Sequence, residues 1–177
     1  MKRKEEYDFL SIKISNYRAY VDAGINHEVR VKKYQYDDAK IYEFSSHVII
    51  SGICNWPEER EGDEYEFTVY GSNKDFDITL KECHVFGKDG MRQYKKIRGK
   101  EVPVYDIPKG LGTIDKVRGV DLWDGNIWVT PQTASSMQGL LSSSSIDSLY
   151  VFVHERKIER NRWVVGFTLQ TSDPSNE

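Results

Sequence analysis

The sequence is short of nearly everything from which a catalytic or metal centre is assembled. Two cysteines, Cys54 and Cys83, and four histidines occur among 177 residues. Two thiols are too few for a disulfide scaffold and fit a reducing compartment. His27-Glu28 and His154-Glu155 open like a zinc-protease motif, yet Val31 and Ile158 stand where its second histidine is needed, and both segments alternate like strands. Cys83 and His84 are adjacent, so on a strand they point to opposite faces and cannot chelate one ion together. No Gly-x-Ser-x-Gly elbow is present, and the serine run 142–145 lacks the strand-turn-helix setting that exposes a nucleophilic hydroxyl. Lys109-Gly-Leu-Gly-Thr113 has glycines but neither the phosphate-loop lysine nor a following helix. The aspartate pairs Asp75/Asp77 and Asp121/Asp124 read as turn residues bonded to their own backbone. No catalytic residue, metal ligand or cofactor is therefore expected.

Other absences bound the class. No run approaches the ~20 apolar residues of a spanning helix, no Asn-x-Ser/Thr sequon occurs, and Glu5, Glu6 and Asp8 interrupt the start where a secretory signal needs apolar residues. A cytoplasmic protein with no membrane partner is the expectation. Charge of one sign is also lacking: 25 Lys and Arg stand against 28 Asp and Glu, a net charge of -3, which removes the global attraction that a basic protein has for nucleic acid.

What is present is alternation. Leu10, Ile12 and Ile14 alternate with polar residues, as do Val29 and Val31, with Tyr34 and Tyr36 extending that strand. In Ile41–Cys54 the residues Tyr42, Phe44, Ser46, Val48 and Ile50 share a face, Ile49 suggests burial on both sides, and Gly52 marks a bulge or a close backbone approach. Residues 55–63 read as a loop. Tyr65, Phe67 and Val69 are predicted to pair with Phe76, Ile78 and Leu80 across a turn at Gly71–Asp75, with a bulge at Lys81 or Glu82. Gly87–Gly90 turns the chain, and residues 91–112 read as extended pieces and irregular loop. Asp124-Gly125 between apolar residues reads as a tight hairpin turn. Thr130 and Pro131 open a helix near 131–142, with Ala134, Met137, Leu140 and Leu141 at helical spacing. A last hairpin pairs Leu149, Val151 and Val153 with Trp163, Val165, Phe167 and Leu169. About nine strands and one short helix, without alternating helices, predict an all-β protein: a mostly antiparallel sandwich or barrel. The length fits one domain over 1–177, with disordered ends at 1–6 and 172–177.

Charge is segregated. Residues 58–66 carry six acidic side chains against one basic, and residues 88–100 carry six basic against one acidic. A second basic cluster, Arg156, Lys157, Arg160 and Arg162, ends beside Trp163. From these the expected function is a non-catalytic binding module that self-associates or joins a protein assembly. Its acidic loop (Trp56, Glu58, Glu59, Glu61, Asp63) would meet the basic segment of another subunit. The alternative is a nucleic-acid binder in which Arg92, Tyr94, Lys95, Lys96, Arg98, Lys100, Arg156, Lys157, Arg160, Arg162 and Trp163 supply cations and stacking rings. An enzyme with a site gathered from distant residues is the third reading.

Overall fold

A computed structural model describes residues 5–25, 42–72, 76, 78–158 and 160–174. The chain divides into two compact units, Met1–Asn73 with Gly110–Glu177, and Lys74–Lys109. The first contains strands β1 (Glu5–Ile25), β2 (Tyr42–Trp56), β3 (Glu64–Gly71), β6 (Gly112–Lys116), β7 (Leu122–Val129), β8 (Tyr150–Ile158) and β9 (Asn161–Gln170), with helix α1 (Pro131–Ser143). The second contains β4 (Tyr94–Ile97) and β5 (Lys100–Pro103). Of the two ends expected to be disordered, residues 1–4 and 175–177 lie outside the described residues, as does all but Ile25 of the strand expected from Ile25 to Val31 and extended by Tyr34 and Tyr36.

In the first unit the alternating apolar residues close a seven-stranded barrel in the order β1-β2-β3-β7-β6-β9-β8. Every neighbouring pair is antiparallel except β3 and β7, which run parallel. The fold is thus all-β with one short helix, and of the two predicted architectures it is the barrel. Closure follows from pattern: Leu10, Ile12, Val48, Ile50, Tyr65, Phe67, Val69, Ile127, Val151 and Val153 are all buried, one inward face per strand. Closure also removes most of the open edges that a sandwich would keep.

Helix α1 forms where predicted. The Thr130 hydroxyl accepts the Thr133 amide at 3.1 Å and Pro131 occupies the first turn, where its missing N–H costs nothing. Ala134, Met137 and Leu141 are buried in the same core as the strands, and α1 packs on β2 and β3.

Gly52 is a close approach, as expected. A Cβ there would stand 2.5 Å from the Lys13 carbonyl oxygen, and the register of β1 slips between Ile14 and Asn16, opposite Gly52 and Ser51.

Four expectations are corrected. The hairpin from Tyr65–Val69 to Phe76–Leu80 does not form. Both edges of β3 are taken by β2 and β7, and Phe76, Ile78 and Leu80 are exposed and outside any strand. The bulge at Lys81 or Glu82 is a turn instead. Asp124-Gly125 is no turn: β7 runs through it, and Gly125 lies inside the barrel. Finally, the inward residue of early β9 is Val164. A register slip opposite His154 and Glu155, with Val165 as the extra residue, then restores Phe167 and Leu169 to the core side, while Trp163 pairs with Arg156 on the other face.

The second unit is held by backbone bonds. Val85 donates to the Val104 carbonyl at 3.0 Å, Gln93 to Val85 at 2.8 Å and Val104 to Gln93 at 2.9 Å. β4 and β5 pair antiparallel through Ile97 and Lys100.

Candidate functional site

The basic segment 88–100 leads into the β4–β5 hairpin of the second unit, supplying β4, the turn and the first residue of β5. Arg98 (φ 51°) and Gly99 (φ 79°) are its two central turn residues, both left-handed, as a two-residue loop matched to strand twist requires. Arg98 is the only non-glycine residue with positive φ among the described residues, in a conformation that crowds its Cβ. Arg92, Tyr94, Lys95, Lys96, Arg98 and Lys100 are all exposed. So are Phe76, Ile78, Leu80, Phe86, Met91, Ile97 and Ile107, and no described residue between 74 and 109 is buried. The described residues of the unit thus expose both cations and large apolar side chains, and none of them is buried.

The acidic loop joins β2 to β3. A 3-10 turn at Glu58–Arg60 leaves Glu58, Glu59 and Glu61 exposed, with Trp56 42% exposed beside them. Its other charged residues turn inward. Arg60 Nε donates to Asp63 Oδ2 at 2.9 Å, and its guanidinium also donates to the Tyr65 hydroxyl. Trp123 Nε1 donates to the same Asp63 oxygen at 3.0 Å.

This inward half is part of a polar plug at the barrel end where β3, β7 and β9 begin and β6 and β8 finish. The Trp123 ring meets Arg60 at 4.4 Å, Arg162 at 5.0 Å and Lys116 at 5.6 Å. Arg162 in turn donates to Oε1 of Glu155, whose side chain is fully buried and whose Oε2 has no hydrogen-bond partner. Burial pushes the Glu155 carboxyl above its ordinary value, against the pull of Arg162 and Arg60. Burial also raises Tyr65 and Cys54. For Arg60, burial disfavours the charge, but Tyr65, Asp63 and Glu155 outweigh it and its pKa rises.

The second basic cluster therefore divides. Arg162 faces inward on Glu155, Arg156 lies over the Tyr7 ring at 5.9 Å, Lys157 reaches Glu6 at 3.8 Å, and Arg160 is exposed at the turn. Trp163 is partly buried and pairs in register with Arg156. The two basic segments belong to different units.

The histidines go to aromatic neighbours. His47 lies between Tyr20 (4.6 Å) and Tyr70 (5.9 Å), His154 stacks on Phe9 at 4.4 Å, and His84 meets the edge of Tyr105 at 4.5 Å. His27 lies outside the described residues. Cys54 is buried and donates to the Trp56 carbonyl at 3.1 Å. Among the described residues no group of three or more His, Cys, Asp or Glu is placed to hold a metal ion. Asp121 pairs with Lys116 at 2.7 Å and Asp124 bonds Asn126 at 3.2 Å, so the two engage different partners; Asp75 and Asp77 lie outside the described residues.

Two features escaped the sequence reading. Glu155 continues the inward parity of Val151 and Val153, so an acidic residue in a core position was visible once that parity was extended. The row Tyr20, His47, Tyr70 and Trp128 crosses β1, β2, β3 and β7 with each residue opposite the next, and only strand order reveals it. No helix among the described residues is long and apolar enough to cross a membrane. No protein-family model matches the chain, and neither a search of curated proteins nor one of solved structures gives a match.

Proposed function

We propose that the protein is a self-associating interaction module, in which the second unit docks on an acidic, apolar protein surface. One observation carries this reading: a segment of 36 residues exposes large apolar side chains and cations together and buries none of its described residues. Large apolar side chains exposed along one short segment mark contact surfaces. Such a segment loses apolar exposure when a partner covers it. Aliphatic side chains such as Ile78, Leu80 and Ile107 suit a protein partner better than bases, which stack on rings. The exposed Glu58, Glu59 and Glu61 with Trp56 offer, on a second copy, a surface of opposite charge with an apolar anchor.

The test is sedimentation across salt concentrations. Association that weakens with salt is expected for the wild type, loss of it for K95E/K96E/R98E, and loss for E58K/E59K/E61K. Combining the two sets restores it. Indifference of association to both sets overturns the reading.

A second reading, binding of single-stranded nucleic acid, is favoured by one feature: Tyr94 is 55% exposed on a hairpin carrying Lys95, Lys96 and Arg98. Anisotropy titration of labelled single strands at low salt tests it, and absence of binding removes it. The two free cysteines support a cytoplasmic location for either reading.

A further inference from the structure

β1 is longer than the barrel needs. Strand β8 pairs with it only from Glu5 to Lys13, with one further bond from Ile14 to the Leu149 carbonyl, whereas β2 follows it to Ile25. From residue 16 to 25, β1 therefore pairs, among the described residues, with a strand on one side only. Protected edges usually carry lysine or proline, and this stretch, Asn-Tyr-Arg-Ala-Tyr-Val-Asp-Ala-Gly-Ile, has neither.

The stretch is complementary to itself. Arg18, Tyr20 and Asp22 lie on one face, where within one copy Arg18 reaches Glu66 at 3.5 Å and Asp22 accepts from the Ser45 hydroxyl at 3.3 Å, and Tyr17, Ala19, Val21 and Ala23 lie on the other, since side chains alternate. Pairing two copies antiparallel about a two-fold axis at Tyr20 sets Arg18 opposite Asp22 of the second copy, and the reverse, on one face. On the other it sets Ala19 opposite Val21, which is 74% exposed. Shifting the axis by one residue either way, to Ala19 or Val21, breaks both charge pairs. Tyr20 also ends the four-ring row: His47 covers one side at 4.6 Å, and among the described residues no other ring reaches it. A second Tyr20 would continue the row across the axis.

We infer that the chain forms a symmetric dimer by pairing the β1 edges of two copies around Tyr20, with reciprocal Arg18–Asp22 contacts. The inference rests on the reading that the chain self-associates and adds the partner, a second copy, and the register. Such an isologous contact closes on itself and presents two copies of the second unit to a partner, which raises avidity. Because main-chain bonds contribute most, this dimer persists at salt concentrations that screen contacts between charged loops.

The test has two parts. Directly opposed residues in an antiparallel pair bring their Cβ atoms within about 5.5 Å, so Tyr20→Cys, in a chain with Cys83→Ser and Cys54 left buried, is expected to cross-link to a dimer under mild oxidation. Arg18→Asp or Asp22→Arg alone is expected to weaken dimerisation about tenfold by placing like charges opposite each other twice per dimer. The double reversal restores it. A monomer at all concentrations, or a dimer that neither cross-links at position 20 nor responds to the reversals, overturns the inference. If K95E/K96E/R98E abolishes salt-sensitive association while position 20 still cross-links, docking and edge pairing both stand. Cross-linking at position 20 without salt-sensitive association leaves the edge dimer and removes the docking reading. Salt-sensitive association without cross-linking does the converse.

Discussion

The ring of Phe67 occupies the space that a side chain at position 125 would need: its Cδ1 lies 2.4 Å from where a Cβ on Gly125 would stand. Both residues belong to the parallel β3–β7 pair and sit opposite each other in register. Gly125→Ala is therefore expected to destabilise the barrel by about 1–3 kcal/mol through overpacking. Denaturant unfolding checks it. Pairing the change with Phe67→Leu is expected to recover most of the loss.

The plug at the barrel end makes a sharper prediction. Arg162→Met leaves the buried Glu155 carboxylate without its partner and is expected to cost about 3–5 kcal/mol, while Arg162→Met with Glu155→Leu is expected to be near neutral. Unfolding of the two single and one double variant closes the cycle. A cost for the double variant as large as the sum of the singles would contradict the pairing.

The same carboxyl sets a pH dependence. Because burial holds Glu155 above its ordinary value of 4.5, the folded state keeps a proton that the unfolded state has released. This contribution to stability is full below the ordinary glutamate range and is lost as pH rises through the folded value. Glu155→Gln is expected to flatten that fall, compared by thermal unfolding on both sides of the range. An unchanged slope would count against the raised carboxyl.

Arg98 separates local stability from binding. Arg98→Gly relieves a left-handed conformation at a position where glycine is unstrained, so the β4–β5 hairpin is expected to exchange its amides more slowly. Salt-sensitive association is expected to weaken in the same variant, because a cation is lost from the docking surface. A faster-exchanging hairpin would contradict the turn geometry.

Much of the barrel was legible because alternation states which residues face inward, and β1, β3, α1 and β8 follow directly from it. Strand partners were less legible. The sequence neighbour of β3 looked like a hairpin return, yet its actual second partner is β7, about fifty residues later and parallel to it. Gly125 was misread for a related reason: asparagine, aspartate and glycine signal a turn locally, and only the distant Phe67 ring explains the glycine. The candidate site was legible as charge but not as geometry. Glu58, Glu59 and Glu61 face solvent, whereas Asp63 and Arg162 were spent on Trp123 and Glu155, contacts between residues roughly sixty and seven apart. Periodicity fixes faces but carries no information on which distant strand lies alongside.

The most direct measurement is amide hydrogen exchange of residues 74–109 in the full chain at low salt, followed over rising protein concentration. With a docking surface none of whose described residues is buried, the β4–β5 hairpin is expected to exchange fast in dilute protein and to slow as copies associate, losing that protection at high salt. Exchange of the hairpin that is independent of concentration and salt, in a protein that sediments as a monomer throughout, would contradict the proposal.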